Sequence, residues 1–262
     1  MRVDWERNMA IIALRAWYLQ EYEPLREVMQ RPHDLRLSKS SLLKSGLRAD
    51  FLDERETVES AEWFQRYLSG ETVEFYIEGS GGYQIANIDL ISQEIYFIKQ
   101  DVSALLDPII YFSYQQEYAA AYEVLAEALQ ETIETFNQQA RVPVSLEFSV
   151  RPKDDPIRLS NSQLRKIRKS LIFIADGTPL AHIPNEKTAI LLPSPTVSLE
   201  LGYALQCKQR EQILLTKMER WEGGYPFDLP NPQQLSFRGE TDLKATLPQT
   251  LEAMLQRYNL VL

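Results

Sequence analysis

The second half of the chain alternates between two hydrophobic periods, and that alternation limits the possible folds more than any other feature. Four short apolar runs have the length and the β-branched or aromatic content of buried strands: PIIYFSY (108–114), VSLEFSV (144–150), LIFIAD (171–176) and EQILLTK (211–217). Segments with helical spacing stand between them. In QQEYAAAYEVLAEALQETIETF, Tyr118, Tyr122, Leu125, Leu129, Ile133 and Phe136 share one stripe. SNSQLRKIRKS opens with Ser160 and has Gln163 at N3, which forms a capping box. SPTVSLELGYAL (194–205) has Ser194 as N-cap and Pro195 at N1. TDLKATLPQTLEAMLQRY closes the chain as a helix or helix pair, with Pro248 at a bend or a new start. Strand then helix, repeated along the chain, predicts right-handed crossovers and an α/β fold built on a doubly wound parallel sheet over residues 105–262.

Residues 1–104 read as a separate α+β region. Trp5, Met9, Ile12, Ala16 and Leu19 recur at helical spacing, and Val58 to Leu68 reads as a second helix. In TVEFYIEGSGGYQIANIDLISQEIYFIK the period changes to two. That predicts an antiparallel meander of about three strands with a hairpin turn at Gly79 to Gly82. The Gly-Ser-Gly-Gly run has no Gly-Lys-Ser/Thr after it and strands on both flanks, so it is not a phosphate loop. QDVSALLDP and RPKDDPIRL read as linkers.

Charge and composition narrow the function. The formal net charge is −9 across 262 residues, which argues against nucleic acid and anionic membrane surfaces as partners. The single cysteine, Cys207, rules out an internal disulfide and reads as a small buried hydrophobe. With two histidines, His33 and His182, no zinc site can be assembled from Cys and His alone, and no metal is expected. The apolar run Met9 to Leu14 is too short to span a bilayer, so a cytoplasmic protein is expected. A homodimer stays open.

In an open parallel sheet, ligands sit beyond the carboxyl ends of the strands. Ser113 and Tyr114 end the first strand there, Asp176 and Thr178 end the third, and Ser194 and Thr196 open the following helix. Glu200 lies at N6 of that helix. Thr196, Glu200 and Tyr203 share a stripe predicted to face a cleft, with Val197, Leu201, Ala204 and Leu205 toward the sheet. A carboxylate near a helix N-terminus is favoured by the dipole. Held in a cleft, it can attack or stabilise an electron-poor sugar carbon. The plainer alternatives are an ion pair with Lys208 or Arg210, a turn role for Asp176, and edge packing for Tyr114 and Tyr203. Gly202 weakens the helix, and its missing Cβ would admit another backbone or a ligand. Arg165, Lys166, Arg168 and Lys169 form a basic helix face, suited to phosphates or an acidic partner, or simply solvated.

The segment LELGYALQCKQREQILLTK resembles the one that carries the nucleophilic glutamate in nucleoside 2-deoxyribosyltransferases. It also looks like prokaryotic TIR-like nucleotide-binding domains, many of which hydrolyse NAD. LIFIAD with Gly-Thr-Pro, and IIYFSYQQEYAAAYEVLAEAL, are similar to the preceding strand and the first strand–helix pair of both groups, so the resemblance covers about residues 108 to 258. It implies a flavodoxin/TIR-like fold and a nucleotide or nucleoside ligand. Glu200 falls on the catalytic glutamate, Tyr203 on the motif tyrosine, and Asp176 near a substrate-contacting aspartate. There are three departures. Position 196 is Thr where Asn is usual. The stretch LAHIPNEKTAILL (180–192) is inserted. The acidic cluster before the glutamate is missing, since residues 188–199 hold no Asp or Glu. A neutral base needs an acid to leave, whereas nicotinamide departs from NAD as a neutral molecule. The expectation is therefore N-glycosidic cleavage at Glu200, with NAD or an NAD-like nucleotide as substrate ahead of a deoxynucleoside and with no bound cofactor. The alternatives are a non-catalytic nucleotide-binding module, or an interaction protein using Tyr76, Tyr83 and Tyr96 of the meander.

Overall fold

The structure is a computed structural model. It describes residues 13–38, 46–151, 159–186, 188–227 and 234–260. The chain divides into two units, Met1–Leu105 and Leu106–Leu262.

The first unit holds strands β1 (Ala13–Leu19), β2 (Leu35–Ser38), β3 (Gly46–Asp50), β4 (Glu74–Ile77), β5 (Gly81–Asp89) and β6 (Glu94–Lys99). Its helices are α1 (Leu25–Val28), α2 (Arg55–Ser60) and α3 (Glu62–Leu68). The strands form one six-stranded antiparallel sheet, ordered β2-β1-β4-β5-β6-β3. An antiparallel bridge between Leu37 and Phe51 and a hydrogen bond from the Leu52 N–H to the Arg36 C=O join its two edges. One face encloses Leu35, Leu37, Phe51, Trp63, Phe75 and Phe97. The other carries Trp17, Val28, Tyr76, Val102 and Ala104.

The meander is present as β4, β5 and β6, with the turn at Gly79–Gly82. Gly81 has φ +110°, and a Cβ on Gly82 would lie 2.6 Å from both the Gln100 carbonyl and Val102. Two expectations fail in this unit. The helical stripe through Ala16 and Leu19 belongs to strand β1 (Trp5, Met9 and Ile12 lie outside the described residues). Both faces of β1 are covered, so apolar residues occupy both and the alternation of period two is hidden. Ala16 enters one core while Leu19 packs on the other. The single helix over Val58 to Leu68 is instead split into α2 and α3, because Ala61 is extended at φ −68°, ψ 140°. Tyr76 and Tyr83 are buried, whereas Tyr96 is half-buried, with its hydroxyl donating to Glu94.

The second unit is mixed α/β. Its elements are β7 (Asp107–Ser113), α4 (Ala119–Asn137), β8 (Ser145–Phe148), α5 (Asn161–Lys169), β9 (Ser170–Asp176), β10 (Ala181–Ile183), β11 (Ile190–Leu192), α6 (Pro195–Cys207), β12 (Ile213–Met218), β13 (Gln234–Phe237) and α7 (Glu240–Leu255). Five strands form a parallel sheet ordered β13-β12-β9-β7-β8. Tyr111, Phe173, Ala175, Ile213 and Leu215 pack on one face with Ile167 of α5 and Val197, Leu201 and Ala204 of α6. The alternate residues Ile110, Phe112, Ile172, Ile174 and Leu214 point to the other face. There α4 and α7 pack together through buried leucines, among them Leu125, Leu129, Leu247 and Leu251. α7 runs unbroken through Pro248. The inserted segment holds the hairpin β10–β11, which the sequence reading did not include.

Candidate functional site

The carboxyl ends of β7, β9 and β12 lie side by side, because Ser113 pairs with Ala175 and Asp176 with Thr216. This register sends the expected site residues to two faces. Ser113 belongs to the alternation of Tyr111 and faces α6, whereas Asp176 belongs to that of Ile174 and faces the α4 side.

On the α6 face stands Glu200, fully buried. Its Oε1 accepts from Arg151 Nη1 at 2.8 Å and its Oε2 from Arg151 Nη2 at 3.0 Å, a two-pronged buried ion pair. The Ser113 hydroxyl also donates to Oε2. Only 4% of the Arg151 side chain is exposed. Arg151 also donates through Nε and Nη2 to the Tyr114 carbonyl, at 2.8 and 2.6 Å, and its guanidinium lies 5.0 Å from the Tyr114 ring centre. The Tyr111 hydroxyl is nearby, and burial, aided by the Glu200 charge, holds it protonated well above the usual phenol range.

The expectation of a water-accessible Glu200 in a cleft does not hold here, and neither does pairing with Lys208 or Arg210. Lys208 is itself buried and donates to the Ser170 carbonyl. Burial lowers its pKa to about 8. Thr196 is buried beside Glu200 on α6, Tyr203 is partly buried against the α6 core, and Leu205, expected toward the sheet, is exposed. A Cβ on Gly202 would meet nothing within 4 Å, so no close approach explains this glycine. Cys207 is half-buried against the same core.

On the α4 face stands Asp176, also fully buried. Burial raises its pKa to about 6, against the opposing effect of hydrogen bonds. The Thr178 N–H donates to Oδ1 at 3.0 Å. Oδ2 has no group in hydrogen-bonding geometry, although Gln115 lies close enough to offset part of the rise. The Thr178 hydroxyl is occupied as well, accepting from the Met218 N–H at 3.1 Å. Ser194 opens α6 without capping it. Its hydroxyl donates to Glu117 Oε1 at 3.0 Å instead. Gly177 has a structural reason to be glycine, since an added Cβ would lie 2.6 Å from Leu215 and 2.9 Å from the Tyr225 hydroxyl.

Sequence reasoning missed Arg151, Gln115, Glu117 and Arg220. Arg151 opens the segment RPKDDPIRL, whose composition reads as a linker. All four share one signal: each sits within four residues of the carboxyl end of a parallel strand, the edge where ligands bind in such sheets. Within α5, Lys166 pairs with Glu147 at 2.9 Å. Among the described residues no group of three His, Cys, Asp or Glu side chains is placed to hold a metal ion, and no helix is long and apolar enough to cross a membrane.

Compared with family models, curated proteins and solved structures, the chain matches none of them.

Proposed function

We propose that the second unit is a doubly wound, flavodoxin- and TIR-like domain that binds a nucleotide or nucleoside between the carboxyl ends of β7 and β9. Counted from β7, the sheet runs 2-1-3-4-5, the strand order of that class. The connections leaving β7 and β9 run in opposite directions, so a crevice opens between them. The observation that carries the reading is the Oδ2 atom of Asp176, buried at that crevice without a donor. Leaving a buried acceptor unmet costs about 1–3 kcal/mol. A sugar hydroxyl would satisfy it. Thermal unfolding with NAD, nucleotides and nucleosides tests the reading. A ligand at 100 times its dissociation constant should add ~2.7 kcal/mol of stability, and a midpoint unmoved by every one of them would rule it out.

A second reading is cleavage of an N-glycosidic bond by Glu200, with an NAD-type substrate. The Glu-Leu-Gly-Tyr-Ala pattern and the placement of Glu200 against Ser113 at the end of β7 support it. It requires the Arg151 fork to open, because both carboxylate oxygens are taken. Base released from NAD by the wild-type chain and abolished by Glu200→Gln is the expected result. Release that survives Glu200→Gln would remove this residue from the chemistry.

A further inference from the structure

We infer that the groove between α4 and α7 is a docking surface for α5 of a second copy of this chain, so that copies join head to tail through their second units. The inference is independent of the nucleotide reading above.

A groove of about 380 Å³ lies between α4 and α7. Half-buried Phe136 and Pro248 and buried Leu251 give it an apolar floor, while Glu131 and Glu252 are exposed at its rim beside Lys244. The rim carries more negative charge than it neutralises. Lys244 already meets Glu127, Glu131 and Glu240 at 3.3, 3.0 and 2.8 Å. These carboxylates, Glu240 foremost, hold its proton more tightly than an ordinary lysine's. Among the described residues no cation pairs with Glu252. Pro248 adds an acceptor, because it has no N–H for the Lys244 carbonyl one turn earlier in α7.

α5 is the complementary element, a basic helix on a chain of net charge −9. Lys166 is paired with Glu147, whereas Arg165 and Arg168 are exposed and, among the described residues, meet no carboxylate. They stand one turn apart on the same face, where like charges repel. Arg168, in the last turn, is favoured by the helix dipole, but Arg165 in the middle of α5 has no such reason. An arginine suits both parts of the groove. Its stem can cover an apolar floor, and its guanidinium can fork onto the carboxylates of an acidic rim.

The two surfaces cannot meet within one copy. α5 packs with Tyr111 and Phe173 on one face of the parallel sheet, and α4 and α7 pack together on the other. A contact between copies is therefore heterologous. Each joined pair keeps one groove and one α5 free, and repetition gives a ring or a filament. Ion pairs between exposed side chains are individually weak and are screened by salt, so the assembly should depend on both concentration and ionic strength.

Sedimentation velocity of the full chain over a range of concentrations tests this. At low salt the average mass should rise with concentration beyond that of one chain. The apparent dissociation constant should increase roughly tenfold or more between about 20 and about 300 mM sodium chloride. Two double variants, Arg165→Glu with Arg168→Glu and Glu131→Lys with Glu252→Lys, should each stay monomeric, since groove and α5 then carry the same sign. Mixed in equal amounts they should assemble, because every junction between unlike copies again joins opposite signs. Unfolding midpoints close to wild type would show that both variants are folded. A wild-type chain that stays monomeric at every concentration and salt would overturn the proposal and leave the groove to a basic segment of another protein, and that series needs no variant. Self-association that survives either reversal, or variants that fail to assemble on mixing, would overturn it as well.

Discussion

Arg151 and Glu200 are buried together, and each makes the other tolerable. Removing one partner of a buried ion pair leaves an uncompensated charge, at a cost of about 3–5 kcal/mol. Arg151→Ala should therefore lower the free energy of unfolding by that order in a urea titration. The double change Arg151→Leu with Glu200→Met, which removes both charges and keeps apolar volume, should recover most of the loss. A single change as mild as the double would show that the pair is of little consequence. Gly202 is the opposite case. It sits inside α6, exposed, with open space where a Cβ would go. Gly202→Ala should stabilise the chain by about 0.8–1.0 kcal/mol, read as a higher midpoint of denaturation. A fall in stability would mean that the neighbourhood of this position is tighter than it looks.

Elements with a clean period and a chemical stop signal were legible in the sequence. α5 begins as expected: the Ser160 hydroxyl accepts from the Gln163 N–H at 3.2 Å, and Gln163 Oε1 accepts from the Ser160 N–H at 3.1 Å. Ser160→Ala should cost about 1 kcal/mol, measured by chemical denaturation, and an unchanged midpoint would show that the cap does not act. The four strand runs of the second half, the long stripe of α4 and the glycine turn of the meander were legible for the same reason. What was not legible lacked periodicity. β1 is covered on both faces, so it carries no alternation and imitates a helix over seven residues. β10 and β11 have three residues each and β13 has four, too short for any period to register. The candidate site divides similarly. Glu200, Ser113 and Asp176 could be placed at strand and helix ends by counting. That Glu200 would be covered by an arginine 49 positions away in sequence is a tertiary fact that no spacing encodes.

Two buried ionisable groups should shape the pH dependence of the whole molecule. Asp176 binds its proton more tightly in the folded chain, with a pKa of about 6 against the ordinary 3.8. Its contribution is therefore fully present below about pH 4 and is lost as pH rises through 6, a loss of about 3 kcal/mol. Lys208 releases its proton early when folded, near 8 against 10.5. Between those values the unfolded chain binds more protons, so stability should rise with pH by about 3 kcal/mol. Unfolding free energies across pH 4–10 should show the first slope vanish in Asp176→Asn and the second in Lys208→Met. Slopes that persist in these variants would assign the effect elsewhere. In the first unit, the stitch from Leu37 to Phe51 and from Leu52 to Arg36 bears on how copies of this chain behave toward each other. A sheet edge left open offers a row of unpaired amides onto which another molecule can add as a further strand, the first step toward fibres. By spending part of each rim on the other, β2 and β3 shorten that template. Substitutions that loosen Phe51 should therefore show up first as self-association at high concentration.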